Sequence, residues 1–280
     1  MAYGKTIELF LVNGDADSIV TAELSNWNGK AIKIPRIEVA DCNREDISQP
    51  GVYFLFCREE GDKDSVYIGE SEDVKQRLVQ HLRDYSCGTE AYYWTTAVIF
   101  TGRDLNKASI RYLEYRLVEI AKQANRYSVL TKNTYKNTVM KESQVANMEE
   151  FIADVKILIN ALGFKVLEAL VKKHNGDEHY YYIKTKDAQA KGLPTSEGFV
   201  VLKGAKLYSK EPAKSMTKNQ KAFRDELLNS DKVDDFVTQE DILCSSSSAA
   251  ATLVCGYSTS GPRTWKDKNG RTLKELENDQ

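Results

Sequence analysis

No stretch of this sequence reaches the roughly 18 consecutive apolar residues that a membrane-spanning helix needs, so no membrane partner is expected. The opening segment, MAYGKTIELFLVNGDADS, lacks a basic stretch leading into an apolar run and a small-residue cleavage site. An intracellular, cytoplasmic protein is the expectation. Cysteine is sparse and unpatterned: Cys42, Cys57, Cys87, Cys244 and Cys255 are odd in number and form no CxxC pair. That argues against a disulfide framework and against a structural zinc site. Cys57 and Cys255 lie in apolar runs and read as buried thiols. An excess of one charge is also missing. The 39 Lys and Arg against 41 Asp and Glu leave a net charge of −2, so any polyanion-binding surface has to be local.

What the chain does have is enough material for two cores. It runs to 280 residues, 41% hydrophobic and 29% charged, the balance of a globular protein with room for two domains. Its charge is uneven. Between Arg103 and Lys136 there are eight Lys or Arg against the three acids Asp104, Glu114 and Glu119. This reads either as a solvated helix face or as a nucleic-acid surface on which Arg111 and Arg116 meet phosphates.

Hydrophobic periodicity gives a first domain of about 140 residues. TIELFLV alternates as a strand, SIVTAELSNWNG reads as a short helix or hairpin, and KAIKIP alternates again. NREDIS looks like one helical turn, broken by Pro50 and Gly51. Then come GVYFLFC and SVYIG, two strands joined by REEGDKD. Ser71 is the expected N-cap of a helix that buries Val74, Leu78, Leu82 and Tyr85. AVIF is a buried strand, and a helix from about Leu105 to Asn125 turns Ile110, Leu113, Leu117, Ala121 and Ala124 inward. NMEEFIADVKILINALGF is an amphipathic helix closed by Gly163, taken as a connector within residues 141–185. HNGDEH (174–179) is read as a hairpin or loop, although its two histidines and two acids make metal binding conceivable. The remaining residues, 186–280, read as a second, smaller α+β domain holding the strand GFVVLKG, two helices and a final hairpin, TWKDKNGRTL.

One constellation stands out. Alternation in a strand places Tyr53 with Leu55 and Cys57, opposite Val52, Phe54 and Phe56. Arg77 and His81, at i and i+4, share a helix face, with Asp73 and Asp84 beside them as ordinary ion-pair partners. Gly69 leaves room for a close approach to the backbone by another group or a phosphate. Glu114 sits one position off the apolar row of the later helix, with Arg111 before it. Alone, each residue reads as packing or as a surface ion pair. Together, two phenols, a guanidinium, an imidazole and a carboxylate have the chemistry for a phosphodiester: charge neutralisation, water activation and an oxygen ligand for Mg²⁺.

In order and spacing, Tyr53 in GVY, Tyr67 and Gly69 in YIG, Arg77, His81 and Glu114 resemble the motif string of the GIY-YIG endonuclease family. The resemblance covers roughly residues 51–125. It implies a small mixed sheet flanked by helices and a metal-dependent nuclease acting on DNA. Tyr53 would be the general base or water-orienting group, and Tyr67 would position the nucleophile or phosphate. Arg77 would stabilise the pentacovalent phosphate, His81 would assist proton transfer, and Glu114 would hold one Mg²⁺, with Mn²⁺ as a substitute. The family's later asparagine falls at Asn125 or, alternatively, Asn133. Val52 stands where the family name has Ile, and Glu70 where some members carry a lysine.

TSEGFVVLKGAK and SSSSAAATLVCGYSTSGPRTWKDKNGRTLKELE resemble a C-terminal domain of unknown function that accompanies GIY-YIG nucleases and occurs in restriction-modification proteins. That company implies restriction or phage defence. DNA repair, mobile-element processing and a catalytically silent DNA-binding module remain the alternatives, as monomer or homodimer. In this domain the serines 245–248 read as a helix cap, free to face an anion. Trp265, with Arg263, Lys266 and Lys268 around it, reads either as a buried tryptophan or as a base-stacking residue beside phosphates.

Overall fold

The residues of GVYFLFC are apolar at every position, the pattern of a strand covered on both faces. In the computed structural model, which describes residues 4–58, 64–136, 138–171 and 180–278, all seven are buried. The first unit, residues 1–169, is built from β1 (Ile7–Leu11), β2 (Val20–Leu24), β3 (Gly29–Pro35), β4 (Gly51–Cys57) and β5 (Ser65–Ser71). Next come α1 (Val74–Ser86), β6 (Trp94–Gly102), α2 (Lys107–Ala124), β7 (Ser128–Val129) and α3 (Glu142–Ala161). The strands form one sheet in the order β1-β2-β3-β6-β4-β5-β7. Every pairing is antiparallel except β5 with β7. SIVTAELSNWNG thus supplies a strand and a turn rather than a helix.

Alternation along β4 sorts the cores. Val52, Phe54 and Phe56 pack with α2 and α3 on one face, while Tyr53, Leu55 and Cys57 pack with Val74 and Leu78 of α1 on the other. The helix at 142–161 is therefore not a connector. Met148, Phe151, Ile152, Val155, Leu158 and Ile159 put its apolar side into the same core as α2, because β2, β3 and β6 offer an apolar face that α2 alone does not cover. The chain divides after Ala169, and Gly163, at φ +95°, ends α3 as expected. α1 begins later than expected. Asp73, not Ser71, is its N-cap, accepting from the Gln76 N–H at 2.9 Å.

The second unit, residues 170–280, contains β8 (Tyr181–Lys184), β9 (Gln189–Thr195), β10 (Gly198–Val201), α4 (Lys218–Leu228), β11 (Val233–Asp234) and β12 (Val237–Thr238). It continues with β13 (Ile242–Cys244), α5 (Ser247–Cys255), α6 (Gly261–Thr264) and α7 (Leu273–Asn278). Its main sheet runs β13-β10-β9-β8 and is antiparallel throughout. Small residues let α5 sit close against its neighbours: a Cβ on Gly261 would fall 2.1 Å from the Ser247 backbone. The buried Arg224 donates to the carbonyls of Leu253 and Tyr208. HNGDEH lies outside the described residues. No described helix is long and apolar enough to cross a membrane.

Candidate active site

The register of β4 with β5 sets Tyr53 opposite Gly69 and Leu55 opposite Tyr67, so both phenols face α1. Their rings are 6.2 Å apart. Gly69 makes this possible, since a Cβ there would lie 2.5 Å from the Tyr53 hydroxyl and 2.8 Å from the Tyr67 ring. The close approach expected at Gly69 is made by another group, the two tyrosine side chains, rather than by a phosphate.

From α1, Arg77 and His81 reach the same point. The Arg77 Nε donates to the Tyr53 hydroxyl at 3.4 Å, and its Nη1 donates to Gln80 Oε1 at 2.6 Å. His81 is 1% exposed, with its Nε2 2.9 Å from the Tyr53 hydroxyl and its Nδ1 2.6 Å from Glu90 Oε2. A carboxylate so close to Nδ1 selects the Nδ1–H tautomer, which leaves Nε2 to accept the phenol proton. The chain therefore runs Tyr53 O–H to His81, and His81 N–H to Glu90. Asp73 and Asp84, the bland partners for this helix face, do not take these roles. Asp73 caps the helix, and the backbone carbonyl of Asp84 accepts the N–H groups of Thr89 and Glu90. That last contact turns the loop so that Glu90 meets the imidazole. Tyr92 stacks on Tyr67 at 5.7 Å.

The Tyr53 phenol is raised far above its ordinary range. Burial is the first cause and Tyr67 the second, and the nearby Arg77 charge does not offset them. Tyr67 is likewise raised by burial, with Arg77 opposing. A free phenolate base at Tyr53 is therefore disfavoured in this environment. A neutral phenol that hands its proton to His81 fits it.

Glu114 comes from the other side of the sheet, on α2. α2 packs against β5, whose pairing with β7 ends at Val66 and beyond which the Thr131 hydroxyl bonds the Ile68 backbone. The Glu114 charge is near enough to raise both phenols. Glu114 is 6% exposed, and its Oε2 is buried without a hydrogen-bond partner. Burial first, and the negative charge of Glu70 second, push its carboxyl up to about 7 against Lys107 and Arg111. Glu70 itself accepts from Lys107 Nζ at 3.0 Å and lies 3.8 Å from Arg111 Nε. Among the described residues no three His, Cys, Asp or Glu converge. The donor set is thus one under-satisfied carboxylate with a second nearby, which fits a hard cation that keeps most of its waters.

Comparison with family models matches residues 49–128 to the GIY-YIG catalytic domain and residues 181–277 to a domain of unknown function (DUF4357). The chain carries a GIY-YIG nuclease-family domain. No curated protein and no solved structure matches it.

Other expected residues fall elsewhere. Asn125 is the left-handed C-cap of α2, at φ 52°, a backbone position that asparagine tolerates. Arg116 is engaged within the fold, where Glu149 accepts from it at 2.7 Å and Glu119 at 3.0 Å, pinning α2 to α3. Arg111 lies with its guanidinium 4.1 Å over the Tyr135 ring, and its Nε is buried without a hydrogen-bond partner. Trp265 cannot stack on a base. It is 0% exposed, packs on Phe199 at 4.6 Å and donates its indole N–H to the Ser247 carbonyl at 3.0 Å. Ser246 caps α5 and Ser248 accepts from the Gly261 N–H, so these two serines are committed within the fold. Sequence reasoning missed Glu90, which belongs to no motif, and Lys107. It noted Glu70 only as a departure from the family.

Proposed function

We propose that the GIY-YIG domain of this protein is a Mg²⁺-dependent DNA endonuclease, acting in restriction or phage defence. The observation that carries the reading is the Tyr53–His81–Glu90 hydrogen-bond chain, with Arg77 on one side and the under-satisfied Glu114 carboxylate on the other. Glu114 would hold the ion with Glu70 beside it, and Mg²⁺ bound there would supply charge neutralisation for the phosphate and the leaving group. Tyr53 accepts a proton from the attacking water as it passes its own to His81 Nε2, so the phenol never carries a full charge in its buried place. Glu90 holds the imidazole in the accepting tautomer and stabilises the imidazolium. Arg77 binds a non-bridging oxygen as negative charge grows there. Tyr67 orients the phosphate. One such site cuts one strand, so a double-strand break takes a homodimer or two successive events. Restriction is supported by the second domain's resemblance to those of restriction-modification proteins.

The test is cleavage of duplex, single-stranded and base-modified DNA with and without Mg²⁺, by wild type, Glu114→Gln and Tyr53→Phe. Mg²⁺-dependent cutting by wild type that both substitutions remove is the expected result. The preferred substrate separates restriction from repair. Binding without cutting by wild type would leave a silent binding module.

A further inference from the structure

The second unit has an open cavity of about 760 Å³ where β8 meets the turn that follows Trp265. Two backbone bonds build this junction: the Tyr182 N–H donates to the Lys266 carbonyl at 2.7 Å, and the Lys266 N–H returns to Tyr182 at 3.1 Å. Beneath it, Trp265 anchors the turn in the core. Strand alternation buries Tyr181 and Ile183 and turns Tyr182 and Lys184 outward, and residues 182–185 together form one wall of the cavity. The other wall carries Arg263, Lys266 and Lys268.

These four cations are exposed, and among the described residues none of them has an ion-pair or hydrogen-bond partner for its side chain. Lys210 pairs with Asp187 at 3.2 Å and Lys232 with Glu240 at 3.5 Å, while Lys214 and Lys218 have no such partner among the described residues, so it is grouping around one concave surface that sets the four cavity cations apart. The one acid on the cavity wall, Asp267, is spent on the turn. It accepts from the N–H groups of Asn269 and Arg271 at 2.8 and 2.9 Å, and the Arg271 guanidinium pairs with it at 3.3 Å. The concave surface is therefore strongly positive, and its shape focuses that field. It is far larger than a single phosphate requires, with cations on both walls and a half-buried tyrosine between them.

We propose that this cavity docks the phosphodiester backbone of DNA, giving the domain of unknown function a binding role. The choice of DNA over another polyanion rests on the nuclease reading of the first domain. The backbone phosphates would pair with Lys184, Arg263, Lys266 and Lys268, with Tyr182 packed against the strand.

The experiment is a fluorescence-anisotropy titration of labelled duplex DNA with the full chain carrying Glu114→Gln, across a range of salt. It is repeated after adding Lys184→Gln, Lys266→Gln and Lys268→Gln, and separately after adding Lys214→Gln, Lys218→Gln and Lys221→Gln, which remove the same charge away from the cavity. Thermal melts confirm that each variant is folded. Neutralising the cavity is expected to weaken binding at least about tenfold at low salt. It also makes the dependence of log K on log salt shallower by about 2.7, since each of the three phosphate contacts removed contributes about 0.9. The control substitutions leave both quantities near the parent values. Equal affinity and slope after the cavity substitutions would overturn the proposal, as would equal losses from the control set. Competition by poly-glutamate as effective as that by DNA would overturn the choice of ligand and point to an acidic protein partner. Cleavage is scored separately on the chain without Glu114→Gln. A chain that cuts no DNA but loses binding through the cavity set disproves the nuclease reading alone, while cutting with no such loss disproves the docking site alone.

Discussion

On the α1 side of the candidate site, Tyr53, His81 and Glu90 bond in sequence, each donor meeting an acceptor at 2.9 Å or less. On the α2 side, Glu114 keeps a buried oxygen with no hydrogen-bond partner, and the Nε of Arg111, also without one, has only the Glu70 carboxylate at 3.8 Å. Buried polar groups are normally satisfied, and leaving one unpaired costs about 1–3 kcal/mol. The α1 side is a connected hydrogen-bond path from Tyr53 to Glu90, whose other oxygen, Oε1, is also buried without a hydrogen-bond partner. The α2 side is a buried carboxylate oxygen without a hydrogen-bond partner, which under the proposed reading a cation would meet. The two should therefore fail differently when altered: the α2 side loses the ion, and the α1 side loses the timing of proton transfer.

The largest effect separates these failures. Glu114→Gln keeps the shape of the side chain and removes the charge, and is expected to lower cleavage by about 10⁴-fold, roughly 5 kcal/mol of barrier. Raising Mg²⁺ should recover little of it. Tyr53→Phe is expected to cost about 10³-fold, with the Mg²⁺ dependence of the residual rate unchanged. If both variants shifted the Mg²⁺ requirement alike, the site would not divide in this way. Next in size is Gly69→Ala. Its Cβ, 2.5 Å from the Tyr53 hydroxyl, has to push both rings, and a loss of about 1–3 kcal/mol in folding stability is expected by denaturant titration. Unchanged stability would mean that the phenols are loosely held, contrary to the connected character of that side.

Much of this was legible in the sequence, for a specific reason. Tyr53, Tyr67, Arg77, His81 and Glu114 sit on regular elements, where periods of two and 3.6 fix which residues share a face. Their convergence follows once the elements are placed. What escaped depends on contacts that no period encodes. Glu90 reaches His81 through irregular backbone after the helix. Arg116 looks like a free cation in a basic run, yet its partner Glu149 is 33 residues away on another helix. The same run hides that Lys107 is spent on Glu70. Trp265 misled in the opposite way: the cations around it point outward because the indole points in. Charge density in a sequence therefore overstates the basic potential of α2 and understates that of the cavity at Lys266.

Glu90→Gln tests the far end of the proton path, where Glu90 acts as a positioning residue. An amide can donate to Nδ1 as well as accept, so it allows the tautomer that places the proton on Nε2, facing the Tyr53 hydroxyl as a competing donor. The expected result is a fall of about tenfold in kcat with KM unchanged, accompanied by a change in the ¹⁵N shifts of His81 that reports the new tautomer. A merely structural carboxylate would disturb stability without moving those shifts.

The last effect concerns the α2 side in the absence of metal. The Glu114 carboxyl rises from its ordinary 4.5 to about 7, through burial first and Glu70 second. Between those values the folded chain holds a proton that the unfolded chain has released, so stability is full below about 4.5 and is lost as pH rises through about 7. Glutamine cannot ionise and escapes that loss. Without divalent ions, Glu114→Gln should therefore melt above wild type at pH 8, by about 2–4 °C for each kcal/mol recovered in a domain of this size, and the two should converge near pH 4.5. Adding Mg²⁺ at pH 8 should raise the wild type and not the variant, because only the carboxylate gains a ligand on folding. Superimposable melting curves across the whole pH range would show that Glu114 finds a partner of its own, and the contrast between the two sides would disappear.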